Sequence, residues 1–226
     1  TKEIASAIAK ANLNDVPVIV VDTRVDPKAA ADNKLKIASF VGSDNYEGGR
    51  LAGEYMAKST GGKARVAILE GIPGHETGDS RLRGFREALQ QYPGMTIVAS
   101  QPANWERDLG FTVFQNMLQA HGDIDALFAC SDLMARGAVE AIAAAGRSGS
   151  ILVVGFDALD DARKIIDAGR MNASVAQSPR DMGRIAVENT LAVLEGVVPP
   201  NPVNTVPLRS VVVPPRNSPN MKDFRR

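Results

Sequence analysis

The chain has 226 residues, 44% of them hydrophobic and 23% charged, the ordinary range for a globular protein with a sizeable core. Its 26 Lys and Arg residues balance 26 Asp and Glu residues, so it lacks the positive excess that a general nucleic-acid binder or a polybasic membrane-surface protein needs. A single cysteine excludes an internal disulfide, and the longest apolar runs, 16–21 and 151–154, fall far short of the roughly 20 residues of a membrane-spanning helix.

The chain opens on a helical pattern that ends near Leu13, with Ala5, Ile8 and Ala9 on it. Apolar runs over 16–21 and 37–41 read as strands. Asp44, Asn45, Tyr46 and Glu47 form a capping box, in which the Asp44 carboxylate can accept from the third backbone N–H and Glu47 can reach back. The helix it opens carries Leu51, Ala52, Tyr55 and Met56 on one face. A strand over 64–69 precedes a helix over 80–91, and a strand over 95–100 precedes a helix over 107–120. After a strand over 124–130, Asp132 caps a helix that Gly146 ends in the left-handed conformation. A strand over 151–156, a helix over 161–168, a strand over 172–177 and a helix over 181–194 follow. Beyond Pro199, Pro200 and Pro202 lies a last β run over 206–213, then a polar, Pro-rich and loosely held tail over 214–226.

Continuous apolar strands without polar alternation indicate a parallel sheet covered on both faces. Their alternation with helices indicates a doubly wound α/β fold, in which ligands sit beyond the carboxyl ends of the strands. The residues at those ends are Asp22, Thr23 and Arg24, then Ser43, Asp44 and Asn45, the stretch 71–79, the stretch 101–107, Ser131 and Asp132, Asp157, and Gln177.

These positions carry no phosphate-binding motif: the glycine-rich stretch 71–78 lacks the lysine of a P-loop and reads as a loop that turns sharply before the next helix. No metal spacing surrounds His75, which reads as a solvated loop residue, and His121 suits the end of its helix. Cys130 ends an apolar strand and reads as a buried, inert thiol. No cofactor, metal site or catalytic constellation emerges, so an enzyme is not expected. What remains is one indole, Trp105, in an aromatic-poor chain, with carboxylates and amides at successive strand ends. An indole face covers the C–H face of a sugar ring, while Asp, Asn, Gln, Ser and Arg match hydroxyls that donate and accept at once. Taken singly, Trp105 could pack under a loop, and Asp22 and Asp157 could be caps or turn formers. Their shared edge carries the argument.

At these residues the chain resembles the ribose-binding-protein family, the periplasmic sugar-binding subunits of ABC importers. The matching stretches run in family order: Val16 through Asp22, Ser43-Asp44-Asn45 with Gly48-Gly49, Arg81 through Phe85, Gln101 through Trp105, Ser131 through Ala135, Val154 through Asp157, and Ala176 through Pro179. The resemblance implies a periplasmic-binding-protein type I fold, with two doubly wound parallel-sheet lobes joined by a three-crossing hinge and the first lobe incomplete. Residues 1–43 and 178–206 would form the partial N-terminal lobe, and 44–177 and 207–226 the C-terminal lobe. The ligand contacts it implies are Asp22, Thr23, Ser43, Asp79, Trp105, Ser131, Asp157 and Gln177. The expected function is capture of a monosaccharide or polyol between the lobes and delivery to ABC transporter permease subunits by open-to-closed motion. Neither nucleic-acid binding nor membrane insertion is expected.

Three positions depart from the ribose binders: Thr23 stands in place of Arg, Ser131 in place of Asn, and Asp79 in place of Arg. Losing a guanidinium fork and gaining a carboxylate points away from ribose itself, toward another aldose, a polyol, a cyclitol or an amino sugar. The alternative is the effector domain of a LacI-type repressor, which shares the fold. The resemblance also implies a missing N-terminal segment, the signal peptide of a periplasmic protein lost with it, and a monomer when complete. Without that segment, an exposed apolar sheet edge over 16–42 and weak or absent ligand binding are expected.

Overall fold

The computed structural model describes residues 3–197, 203–206 and 210–212. Its elements are, in order, α1(Glu3–Leu13), β1(Ile19–Val21), α2(Pro27–Asp32), β2(Ser39–Ser43), α3(Asn45–Ser59), β3(Lys63–Glu70), α4(Glu76–Gln90), β4(Gly94–Pro102), α5(Arg107–Ala120), β5(Ala126–Ala129), α6(Asp132–Ala144), β6(Leu152–Asp157), α7(Asp160–Asp167), β7(Ala173–Ala176), α8(Pro179–Leu194), β8(Val203–Val206) and β9(Ser210–Val212). The chain divides into two compact units, one of Thr1–Asp44 with Ser178–Leu208, the other of Asn45–Gln177 with Arg209–Arg226.

The first unit holds a parallel three-stranded sheet in the order β1-β2-β8, with β1 at an edge. β1 is shorter than the apolar run 16–21 because Val16 is still tied to α1, its N–H donating to the Ala11 carbonyl at 3.0 Å. A helix not expected from the sequence, α2, stands between β1 and β2. Its signals are local: the Asp26 carboxylate accepts from the Ala29 N–H at 2.7 Å, and Pro27 presets the first helical φ. Ile8, Val20, Val25 and Phe40 pack into one small core, and Val41 packs with Met182 of α8 into another. Asn189 of α8 donates to the Ser39 hydroxyl at 2.8 Å, satisfying both buried groups.

The second unit holds a six-stranded sheet in the order β4-β3-β5-β6-β7-β9, parallel except for β9, which pairs antiparallel with β7. β5 and β7 are buried at every position, which explains the unbroken apolar sequence of β5 and, in β7, a single polar residue, Ser174. Phe85 of α4 stacks on Phe128 of β5 with ring centroids 4.3 Å apart. Helices α3 and α4 approach backbone to backbone, since a Cβ at Gly49 would strike the Arg81 carbonyl and one at Gly84 the Tyr46 carbonyl. This close crossing sets the first turns of α4 against Asn45.

Two expectations are corrected. Helix α4 begins at Glu76 rather than near residue 80, so Thr77 and Gly78 lie in its first turn instead of in a loop. The last β run is two strands in two different sheets, Val203–Val206 and Ser210–Val212. The proline cluster 199–202 and the tail 214–226 lie outside the described residues. No described helix is long and apolar enough to cross a membrane.

Candidate functional site

In the second unit the strand-end residues are built around two backbone turns. β6 ends at Asp157 with φ 107°, and Ala158 follows with φ 55°. Such conformations cost non-glycine residues on the order of 1–3 kcal/mol each and persist only where the surroundings impose them. Here a buried chain of hydrogen bonds imposes them. The Ala158 N–H donates to Ser174 Oγ at 3.0 Å, and Ser174 Oγ donates to Asp132 Oδ1 at 2.7 Å. Asp132 Oδ2 accepts from the Leu159 N–H at 2.8 Å, and Arg163 Nε donates to the Ala158 carbonyl at 2.9 Å. Burial pushes the Asp132 carboxyl up to about 7, although the Ser174 and Leu159 donors pull the other way.

The turn presents the Asp157 carboxylate to two partners. Its Oδ1 accepts from Gln177 Nε2 at 2.6 Å and lies 3.4 Å from Arg81 Nη1. Arg81 is only 3% exposed, so its charge requires full pairing. Its Nε donates to Asn45 Oδ1 at 2.9 Å, its Nη1 donates to the Cys130 carbonyl at 2.6 Å, and its guanidinium lies 3.6 Å from the Phe156 ring centroid.

The second turn follows β4. Asn104 and Trp105 have φ 52° and 68°, and the half-buried indole lies with its ring 5.7 Å from the Arg81 guanidinium carbon. His75 meets Trp105 edge to face, with centroids 5.9 Å apart. His75 is therefore not the solvated residue the sequence suggested; it precedes α4, and its Nδ1 is buried with no hydrogen-bond partner. Trp105, Asp157 and Gln177 thus share one neighbourhood through Arg81. Ser131 follows Cys130 directly and caps α6, its Oγ accepting from the Met134 N–H at 3.4 Å. Asp79 stands two residues before Arg81 in the first turn of α4.

In the first unit Asp22 follows β1 with φ 72°, its N–H donating to the Val41 carbonyl at 2.8 Å. Thr23 Oγ1 donates to Asp22 Oδ2 at 3.2 Å. Ser43 ends the neighbouring β2 and is nearly buried. Since Val21 pairs with Val41, Asp22 and Ser43 stand at the same edge of that sheet.

Sequence reasoning passed over Arg81 as a site-building residue, treating it as part of a longer motif, and read Asp132 as the cap of α6; Ser131 is the cap, and Asp132 lies in the first turn, free to bond across to Ser174 and Leu159. A buried arginine has no local signature that separates it from a surface one. Cys130 is fully buried with its thiol pushed up to about 12 by burial, the behaviour of an inert thiol. Among the described residues no group of three or more His, Cys, Asp or Glu side chains could hold a metal ion.

One parallel sheet and one that is parallel but for its last strand, with carboxylates, amides and one indole at strand carboxyl ends, define a doubly wound α/β protein. The chain belongs to the periplasmic binding protein domain family, whose model matches residues 1–197. It is 38% identical over 193 residues to the ribose import binding protein of Escherichia coli (strain K12), covering 85% of this chain and 62% of that protein. The chain therefore spans about 62% of the length of that curated relative. Among solved structures it is similar to an ABC transporter periplasmic solute binding protein from Actinobacillus succinogenes 130z with bound D-allose, at 39% identity and a TM-score of 0.85, covering 92% of this chain and 73% of that one. It is also similar to an ABC transporter solute binding protein from Bacillus halodurans C-125 with bound myo-inositol, at 26% identity and a TM-score of 0.84, covering 94% and 71%. The fold is accordingly that of type I periplasmic binding proteins, and these relatives are binding proteins rather than enzymes.

Proposed function

We propose that the protein carrying this chain captures a monosaccharide or polyol and presents it to an ABC-type importer. The observation that supports this most is the gathering of Trp105, Asp157 and Gln177 around the buried Arg81, at the carboxyl ends of a parallel sheet. The indole offers an apolar platform for a sugar ring. Asp157 and Gln177, already ordered by each other and by Arg81, offer acceptors and donors to hydroxyls at little entropic cost. Asp79 and Ser131 extend this set, and Asp22, Thr23 and Ser43 are the contacts we assign to the first unit. Closure of the two units on the sugar would be driven by contacts made only in the closed state, and that state would be the one the permease subunits select. The protein would act in the periplasm, as a monomer. The similarity to import binding proteins favours this reading over a repressor effector domain.

A thermal-shift panel of D-ribose, D-allose and myo-inositol on the intact protein tests it. A sugar at about 100 times its Kd should stabilise by about 2.7 kcal/mol, or roughly 5–10 °C at this size. Trp105→Ala should abolish the shift while leaving the protein folded. No shift with any sugar or polyol, or catalytic turnover of one, would overturn the proposal.

A further inference from the structure

Trp105 is the sole tryptophan of the chain, and its benzo half lies where two glycines leave space. A Cβ built on Gly71 would fall onto Cε2, Cζ2 and Cη2, none of them farther than 2.5 Å. A Cβ on Gly78 would stand 3.1 Å from both Cζ2 and Cη2, tighter than an ordinary contact. Neither glycine has a positive φ, so the backbone at both positions would accept an L side chain. The indole, not the main-chain conformation, is what requires glycine there.

The two glycines come from different elements. Gly71 follows β3, and Gly78 lies in the first turn of α4, so the slot is a gap between a strand end and a helix start. The His75 ring flanks the indole, and the left-handed backbone of Asn104 and Trp105 aims it inward. The atoms that would collide with a Gly71 side chain belong to the far part of the indole. A single six-membered ring at position 105 would end closer to its own backbone and leave those positions empty.

We infer that Gly71 and Gly78 are positioning residues for Trp105. They form a slot that admits an indole, set the depth to which the ring withdraws, and thereby determine how large a sugar ring the platform accepts. The consequence for sugar size rests on the capture function proposed above; the slot itself is tested without any ligand.

The test places Gly71→Ala and Gly78→Ala in the chain with Trp105 and again with Trp105→Phe. With Trp105 present, Gly71→Ala should lower Tm by about 5 °C and shift indole emission to longer wavelength, and Gly78→Ala should do both to a smaller degree. In the Trp105→Phe background each alanine should cost no more than about 2 °C, because the colliding atoms are gone. If Gly71→Ala does not fold alone, recovery of folding by the added Trp105→Phe supports the slot. Unchanged emission and Tm in Gly71→Ala, or equal losses with and without the indole, would overturn it. In the intact protein, Gly78→Ala should weaken D-allose binding about 10-fold relative to D-ribose. An unchanged ratio would overturn the link to sugar size. Absence of sugar binding by the unaltered protein would count against the capture function and leave the emission and Tm results to decide the slot.

Discussion

The turns after β4 and β6 meet the same demand by different physics. Each places two consecutive non-glycine residues in the left-handed region at the end of a strand, Asn104-Trp105 in one and Asp157-Ala158 in the other. The β6 turn is held by directional bonds to a buried carboxylate and a buried hydroxyl. The β4 turn is closed by backbone bonds alone, Ala103 N–H to the Glu70 carbonyl and Glu106 N–H to the Ala103 carbonyl, both at 2.9 Å, and its indole is seated by shape against two glycines. Polar clamping orients a side chain that must itself make directional bonds, Asp157. Packing suits a ring whose work is to present a face. Arg81 stands between them, bonded to one and facing the other.

The largest effect should come from removing that shared group. Arg81→Ala leaves the Asp157 carboxylate, Asn45 and the Cys130 carbonyl without their cation, and a broken buried pair costs about 3–5 kcal/mol. Chemical denaturation should show a loss of that size, and both turns should loosen together. A loss confined to one turn would mean that Arg81 does not couple them.

The β6 turn should respond to pH. The Asp132 carboxyl titrates near 7 in the folded chain, against 3.8 for an ordinary aspartate. Between about pH 4 and 7 the folded form therefore keeps a proton that the unfolded form has released, so stability falls as pH rises through that window. Asp132→Asn removes the titration. The Tm difference between the native chain and this variant should drift against the native chain from pH 4 to 7.5, and a constant difference would place the carboxyl at an ordinary value. The smallest effect should follow from Ser174→Ala, which strands the Ala158 N–H at a cost of about 1–3 kcal/mol. Trp105 emission should stay unaltered in this variant, because Arg81 keeps its bonds; a shift would show that the β6 backbone reaches the indole by a route besides loss of Arg81.

The order of strands and helices was legible because buried parallel strands are written as unbroken apolar runs between amphipathic segments. Of the candidate site, Trp105, Asp157 and Gln177 stood out by residue type at strand ends, and the structure brings these three together around one guanidinium. The supporting groups were not legible. Asp132 finds Ser174 across 42 residues through the order of the strands, and Arg81 finds Asn45 across 36 through the close crossing of α3 and α4, pairings that only the tertiary fold creates. Glycines 71 and 78 suggested a loop because sequence shows an absent side chain without showing what takes its place. α2 was passed over although Asp26-Pro27 marks its start, because six residues carry too little periodicity to register.

The sheet order β1-β2-β8 has a consequence for the birth of the molecule. On a ribosome β1 and β2 emerge before β3 through β7, yet β2 gains its β8 neighbour only when Val203–Val206 has been made, after the whole of Asn45–Gln177. Closing so long a loop is entropically costly and slow, whereas β3 through β7 come from one continuous stretch and pair as they appear. The middle of this chain is ready to fold before its beginning can finish.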